Sequence, residues 1–264
     1  DFIHCVKKLI NITASPSRTL MIGAYVVAIV MLIPLIAEGH MNDHGARKTD
    51  ADRKDYRAMD YPSAVRIISK RFRECLRRAV QDNQPALGGL SSYLDMCYAY
   101  SNIFMSKTCS LRNRIESASY VMTYLLIWRG WARKYVLDFN ASKDDTEAKK
   151  KLANIYITQE ALTDVILSCH FIVLLIKTFR DDWPEKAIPF WRLGTDCCED
   201  LFSSLGSFVM NKRTYTILEA IMTLRKKLKA GNTAHLMGIQ TAKRVGGKRE
   251  MWEEEECLAG NQTA

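Results

Sequence analysis

Residues 20–37 read LMIGAYVVAIVMLIPLIA, eighteen positions without a charge, and the fold turns on what this run becomes. Eighteen apolar residues reach the short end of a membrane-spanning helix, which needs about 20. Lys7, Lys8 and Arg18 precede the run and further Lys and Arg follow from Arg47, so the flanking charge selects no orientation. Gly23 and Pro34 interrupt it. The competing reading is a buried helix, or a buried strand–helix pair inside a protein core. Composition alone leaves both open.

Working outward, residues 42–62 are polar and rich in Asp, Arg and Lys, which predicts a loop or a short surface helix. Pro62-Ser63 then opens a helix with Ser63 as its N-cap. Its apolar residues Val65, Ile68, Phe72, Cys75, Leu76 and Ala79 fall at helical spacing. Arg66, Lys70, Arg73 and Arg77 make a basic stripe on another face. Such a stripe is either a solvated helix face or one that tracks phosphates.

Gln84-Pro85 and Gly88-Gly89 break the chain, and helices follow over 90–104 and 116–137. The second carries Tyr120, Val121, Tyr124, Leu125, Trp128, Ala132 and Tyr135 as one stripe at three-and-four spacing, a core face rather than a base-stacking platform. Residues 140–151 form a charged linker. Thr158 caps a helix that runs to Arg180 with Glu160 in its first turn. That helix is expected to bury Leu162, Val165, Ile166, Cys169, Val173 and Leu174, with His170 in the core or at its boundary. Trp183-Pro184 and Ile188-Pro189 mark a loop. Two further helices are predicted, one from Asp196 and one over 214–229. Beyond Gly231 the chain is polar, with KRVGGKR at 243–249 and EEEE at 253–256, and reads as a disordered tail.

The chain has 264 residues, 48% of them hydrophobic, which supports a sizeable core. Lys plus Arg is 38 against 29 for Asp plus Glu. A net charge of +9 suits a polyanionic partner, nucleic acid or an acidic membrane face. The eight cysteines, at 5, 75, 97, 109, 169, 197, 198 and 257, include no Cys-x-x-Cys pair and no zinc spacing. Most sit in apolar helical stretches and read as small hydrophobes in a reducing compartment. Sequons at Asn11, Asn140 and Asn261 carry little weight without a secretory signal. The chain starts at Asp1 rather than Met, which reads as an excised fragment. P-loop, GxGxxG, GxSxG and HExxH motifs are absent from the sequence.

The opening, Asp1-Phe2-Ile3-His4-Cys5-Val6-Lys7-Lys8-Leu9-Ile10-Asn11, resembles the D-x-x-H-x-x-K-K-L-R-N stretch of P-element/THAP-type DNA transposases. Ile10 stands where that pattern has Arg, at a position expected to face DNA. The similarity continues in order. MIGAYVVAIVMLIPLI is similar to the family's Met-Gly-x-Tyr-x-Val segment, and residues 48–59 to its D-x-x-D-R-Q-x-F region. Residues 114–131 resemble a helix ending in W-R-x-W, here Trp128, Arg129, Gly130 and Trp131. Residues 155–176 are similar to the F-I-T helix ending E-x-N-A-H-x-L, though that Glu and Asn are missing and Leu167, Ser168, Cys169 and His170 stand at its end. GTDCCEDLFSSLGS, 194–207, resembles S-Q-x-x-E-x-x-F-x-x-x-R-S, with Gly206 in place of Arg.

The resemblance spans about residues 1–229 and implies a mainly α fold, in which a partial RNase H-like α/β core is interrupted by a large helical insertion. The implied divisions are partial core 1–40, insertion 41–190, C-terminal core helices 191–230 and tail 231–264. It implies a fragment of an ancestrally metal-dependent DNA-cleaving and strand-transferring enzyme, decayed or domesticated here. Asp1 and Glu199 would be catalytic carboxylates holding Mg²⁺, and they would have to converge across 198 positions. A further Asp would lie upstream of Asp1. The competing reading of Asp196-x-x-Glu199 is a capping pair. His4, Lys7, Lys8, Arg66, Lys70, Arg73 and Arg77 would contact DNA. The implied setting is nuclear, with DNA as partner, homo-oligomerisation compatible, and no small-molecule substrate. The matching family segment is soluble and buried, which favours burial of residues 20–37 over a membrane span. The rival functions are a non-catalytic module binding DNA or protein, and a protein with one span at 20–37.

Overall fold

A computed structural model describes residues 2–15, 17–37, 45–51, 61–82, 84–139, 145–190 and 193. These residues are 77% helical and 4% strand, so the chain is mainly α, in line with its sparse strand signals. The chain divides into two units, Asp1–Trp191 and Arg192–Ala264. Apart from Leu193 the described residues belong to the first.

Residues 20–37 settle their ambiguity by turning back on themselves. Leu20–Ile22 is strand β1 and Tyr25–Val27 is strand β2, paired antiparallel with Leu20 opposite Val27 and Ile22 opposite Tyr25. The connection is Gly23-Ala24, and Gly23 has φ +60°, a left-handed backbone that glycine adopts without a Cβ clash. A 3-10 turn, Ile29–Met31, and the short helix α2, Leu32–Ala37, follow. Pro34 sits in the first turn of α2, where its missing N–H costs no helical hydrogen bond. No eighteen-residue helix forms, so the single span at 20–37 is not the structure adopted. Leu20, Val27, Ile29, Leu32 and Leu35 are buried, whereas Tyr25, Val26 and Val30 face solvent.

Helix α1, Phe2–Ile12, precedes the hairpin. After it come α3, Lys48–Ala51, and α4, Tyr61–Ile68. Helix α5 is Lys70–Gln81 and α6 is Gly88–Met105. Helix α7 is Leu111–Phe139, α8 Asp145–Ile155 and α9 Gln159–Asp182. Helix α6 is the axis of the unit. Leu90, Tyr93, Leu94, Met96, Cys97, Tyr100, Ile103 and Phe104 are all fully buried. With apolar residues on most of its circumference α6 lies inside, and α1, α4, α5, α7 and β2 pack around it. Each such large side chain contributes roughly 1.5–3 kcal/mol on burial.

Specific polar contacts fix how the hairpin and α1 dock. Trp128 on α7 donates its indole N–H to the Met21 carbonyl at 2.6 Å, and Tyr93 donates to the Leu9 carbonyl at 2.8 Å. Phe2 stacks on Phe104 with ring centroids 4.0 Å apart. Tyr156, after α8, closes against Trp128 at 4.5 Å and donates to the Leu125 carbonyl at 2.7 Å. Buried hydroxyl and indole groups need such partners, so these bonds select one register for each element.

Four local expectations are corrected, the first being the charged linker over 140–151, of which the residues from Asp145 onward belong to helix α8. The helix predicted from Ser63 through Ala79 is two helices, because Ser69 leaves helical geometry (ψ 151°) and caps α5, accepting from the Phe72 N–H at 3.2 Å. Ser63 is the third residue of α4, not its cap, and its hydroxyl accepts from Arg66 Nη2 at 2.9 Å. Gly88-Gly89 opens α6 rather than breaking the chain. A Cβ on Gly89 would lie 2.6 Å from the Tyr25 Cβ, so the glycine leaves room for the Tyr25 and Val27 side chains of β2 against the start of α6.

Helix α9 starts as expected, with Thr158 Oγ1 accepting from the Ala161 N–H at 3.1 Å. Its inner face differs from the expected one. Ala161, Leu162, Val165, Cys169, Ile172 and Ile176 are buried, while Val173, Leu174 and His170 are exposed and Ile166 is half-buried. The neighbours α1 and α7 cover only one side of the helix, and the apolar run extends around more of it than they reach.

Candidate nucleic-acid interface

The cations singled out by sequence divide into two groups once their partners are known. Arg66, on α4, gives Nε and Nη2 to the two oxygens of Asp50 at 2.8 and 2.6 Å. Asp50 also accepts from the Arg47 backbone N–H at 2.8 Å and is 2% exposed. Burial by itself would raise the Asp50 carboxyl, but the hydrogen bonds from Arg66, Arg47 and Ser63 outweigh it and hold it below the usual carboxylate range. This stabilisation is therefore present above the ordinary carboxylate pKa and is lost as pH falls through the depressed one.

Arg73 is on the inner side of α5. It is 6% exposed, donates to the Ile68 carbonyl at 3.0 Å and to Asp95 Oδ1 at 2.6 Å, and lies 3.6 Å over the Tyr98 ring. Arg77 takes the same carboxylate, with Nη2 2.6 Å from Asp95 Oδ1, but its side chain is 46% exposed. Asp95 thus bridges two guanidinium groups from α6. Arg66 and Arg73 hold α4 and α5 to the body, Arg66 through the buried Asp50 and Arg73 through the half-buried Asp95.

The outward face of α5 is a different set. Lys70, Arg71, Arg77 and Arg78 are exposed there with one carboxylate, Glu74. Lys70 and Arg77 each lie one turn from Glu74, with Arg71 and Arg78 in the adjacent row. Charged side chains so arranged can meet successive phosphates of a polyanion. Arg71 and Arg78 fall outside the stripe 66-70-73-77, so its spacing does not single them out. The break at Ser69 removes Arg66 from that stripe and rotates Arg73 inward.

On α1, His4 and Lys8 are exposed and Lys7 is half-buried. Lys8 Nζ is 2.8 Å from Asp164 of α9, and this hydrogen bond raises its pKa. Both partners are well exposed, at 55% and 42%, so the pair contributes little to stability. Ile10, at the position expected to face DNA, is fully buried on the inner face of α1. In the W-R-x-W segment, Trp128 is core, Arg129 donates to Gln159 Oε1 at 2.8 Å, and Trp131 stacks on Tyr135 at 5.3 Å.

Asp1 and Glu199 lie outside the described residues, as do the helices expected from Asp196 and over 214–229 and the tail after 231. Among the described residues no group of three His, Cys, Asp or Glu could hold a metal ion. The described residues therefore supply no set that fits Mg²⁺. Compared with known protein families, curated proteins and solved structures, the chain matches none.

Proposed function

We propose that this chain descends from a DNA transposase of the P-element/THAP type and that its helical body binds duplex DNA through the outward face of α5. The observation that carries the reading is the solvent-facing row Lys70, Arg71 and Arg78 on α5, beside Glu74 and the exposed Arg77 that Asp95 holds. The basic surplus of the whole chain and the ordered series of motifs from Asp1 to residue 207 support it. Phosphate contacts hold a duplex without reading its sequence, so the binding is sequence-tolerant. Mg²⁺-dependent cleavage through Asp1 and Glu199 belongs to the ancestral activity in this proposal, and a nuclear location follows from the DNA partner.

The test is titration of a labelled duplex with the full chain at several salt concentrations. Affinity should fall steeply with salt, with a log–log slope of about −0.9 per phosphate contact. The triple variant Lys70→Glu, Arg71→Glu, Arg78→Glu should bind far more weakly and with a shallower slope. Equal binding by the variant, or binding insensitive to salt, would refute the assignment. Reversal of Arg66 or Arg73 is no substitute, since either change strikes folding.

A further inference from the structure

Beyond the α5 face, the outer side of α9 carries a second pattern. The inner side of this helix meets α1 and α7. The opposite side reads Glu160, Thr163, Leu167, His170, Leu174 and Lys177, in alternating steps of three and four residues. All six are exposed. Leu167 and Leu174 are each 62% exposed, and Phe171 beside them is 46% exposed. Alternating steps of three and four are the seam along which one helix packs lengthwise on another. An acid opens this seam and a base closes it. Among the described residues neither the Glu160 carboxylate nor the Lys177 ammonium makes a hydrogen bond or ion pair. Lys8 lies in the field of the first and Asp181 in that of the second.

The two ends of the seam are complementary to each other, which selects the occupant. We propose that α9 pairs with the α9 of a second copy of this chain, antiparallel and across a two-fold axis level with positions 168 and 169. In that register Glu160 meets the partner's Lys177, Thr163 the partner's Leu174 and Leu167 the partner's His170. The two-fold repeats each contact, so both ends close with an ion pair. A parallel copy would set Glu160 against the partner's Glu160 and Lys177 against the partner's Lys177, like charges at both ends. An antiparallel copy slid by one turn would set Glu160 against the partner's Asp181, again a like-charge contact. Antiparallel alignment also opposes the two helix dipoles. An anionic membrane suits the helix less well, since Glu160, Asp164, Asp181 and Asp182 outnumber Lys177 and Arg180 along it. About six residues a side fall well short of the roughly 20–30 of a standard interface, so the dimer is weak. In dilute chain the stripe is open to solvent.

The experiment is sedimentation equilibrium of the full chain. Monomer is expected below about 1 µM chain and a substantial dimer fraction at about 100 µM. Glu160→Lys and Lys177→Glu should each weaken the dimer about tenfold or more, since each sets like charges together at both ends. The double variant carrying both changes should regain it. So should an equimolar mixture of the two single variants, as a heterodimer. Leu174→Arg should abolish association. The substituted residues are all exposed, and a circular dichroism melt confirms that each variant is folded. Should Glu160→Lys melt early through its place in the first turn of α9, Lys177→Glu and Leu174→Arg decide alone. A chain still monomeric at the highest concentration, or association indifferent to Leu174→Arg or to Lys177→Glu, overturns the proposal. Failure of a folded double variant to regain the dimer overturns it as well. So does Leu174-dependent binding to phosphatidylcholine vesicles by a chain that stays monomeric without them.

Discussion

Residues 20–37 and helix α9 look alike in composition and end in opposite states. The first is the longest uncharged run among the described residues, yet it folds into a hairpin, a 3-10 turn and one short helix. The second includes His170 and is bounded by Glu160, Asp164, Lys177 and Arg180, yet it is a single helix of 24 residues. By length and composition α9 is apolar enough to cross a membrane, although only 22% of its most apolar eighteen residues are buried in the fold. Core helices of soluble proteins pass the same measure of length and apolarity. The difference lies in the punctuation. Gly23 permits a left-handed turn and Gly89 permits α6 to approach the resulting strand, whereas no glycine or proline occurs between Gln159 and Asp182.

If the hairpin is held as core, its anchor should be among the most costly residues to remove. Trp128 is 4% exposed, touches Tyr93, Tyr124 and Tyr156, and holds the Met21 carbonyl. Trp128→Ala should destabilise the chain by about 3–5 kcal/mol in urea unfolding. A loss under about 1 kcal/mol would mean that the hairpin is peripheral and the contrast with α9 is overstated.

Two glycines sharpen the same contrast at smaller magnitude. A methyl at Gly89 meets the Tyr25 Cβ, so Gly89→Ala should cost about 1–3 kcal/mol through overpacking. Gly130 lies within α7 with nothing within 4 Å of its Cβ position, so Gly130→Ala should stabilise by about 0.5–1 kcal/mol. Opposite signs in thermal or urea unfolding check both. Equal signs would place the close approach of α6 and β2 elsewhere.

What was legible in sequence follows from the range of the interactions. The Thr158 cap is a local pattern and is present, and of the α7 stripe Val121, Leu125, Trp128 and Ala132 are buried, whereas Tyr120 is exposed and Tyr124 and Tyr135 are half-buried. Ser69 was hidden because Val65, Ile68, Phe72 and Leu76 keep helical spacing across the break, so periodicity carries no trace of it. The partners of the cationic stripe were hidden for another reason. Asp50 pairs with Arg66 over 16 positions and Asp95 with Arg73 over 22, and no spacing rule connects them. Sequence supplies the sign of the charge on α4 and α5, whereas the fold decides which cations remain for a ligand. The Asp1–Glu199 pairing falls outside the described residues altogether.

The smallest expected effect concerns the outer face of α9. Leu167 and Leu174 are each 62% exposed and Phe171 is 46% exposed. A surface substitution away from special features changes stability within about 0.5 kcal/mol, so Leu174→Gln should leave the unfolding midpoint nearly unmoved. The inner face provides the control. Cys169 is fully buried, and burial pushes its thiol up to about 12, so it should resist alkylation at pH 8 in the folded chain. A cysteine introduced by Leu174→Cys should label rapidly under the same conditions. The pair of measurements reads both sides of one helix. Slow labelling at 174, with a loss of about 2 kcal/mol or more for Leu174→Gln, would show that a surface covers the stripe in solution. The comparison between α9 and the hairpin would then fail, because both apolar runs would be buried.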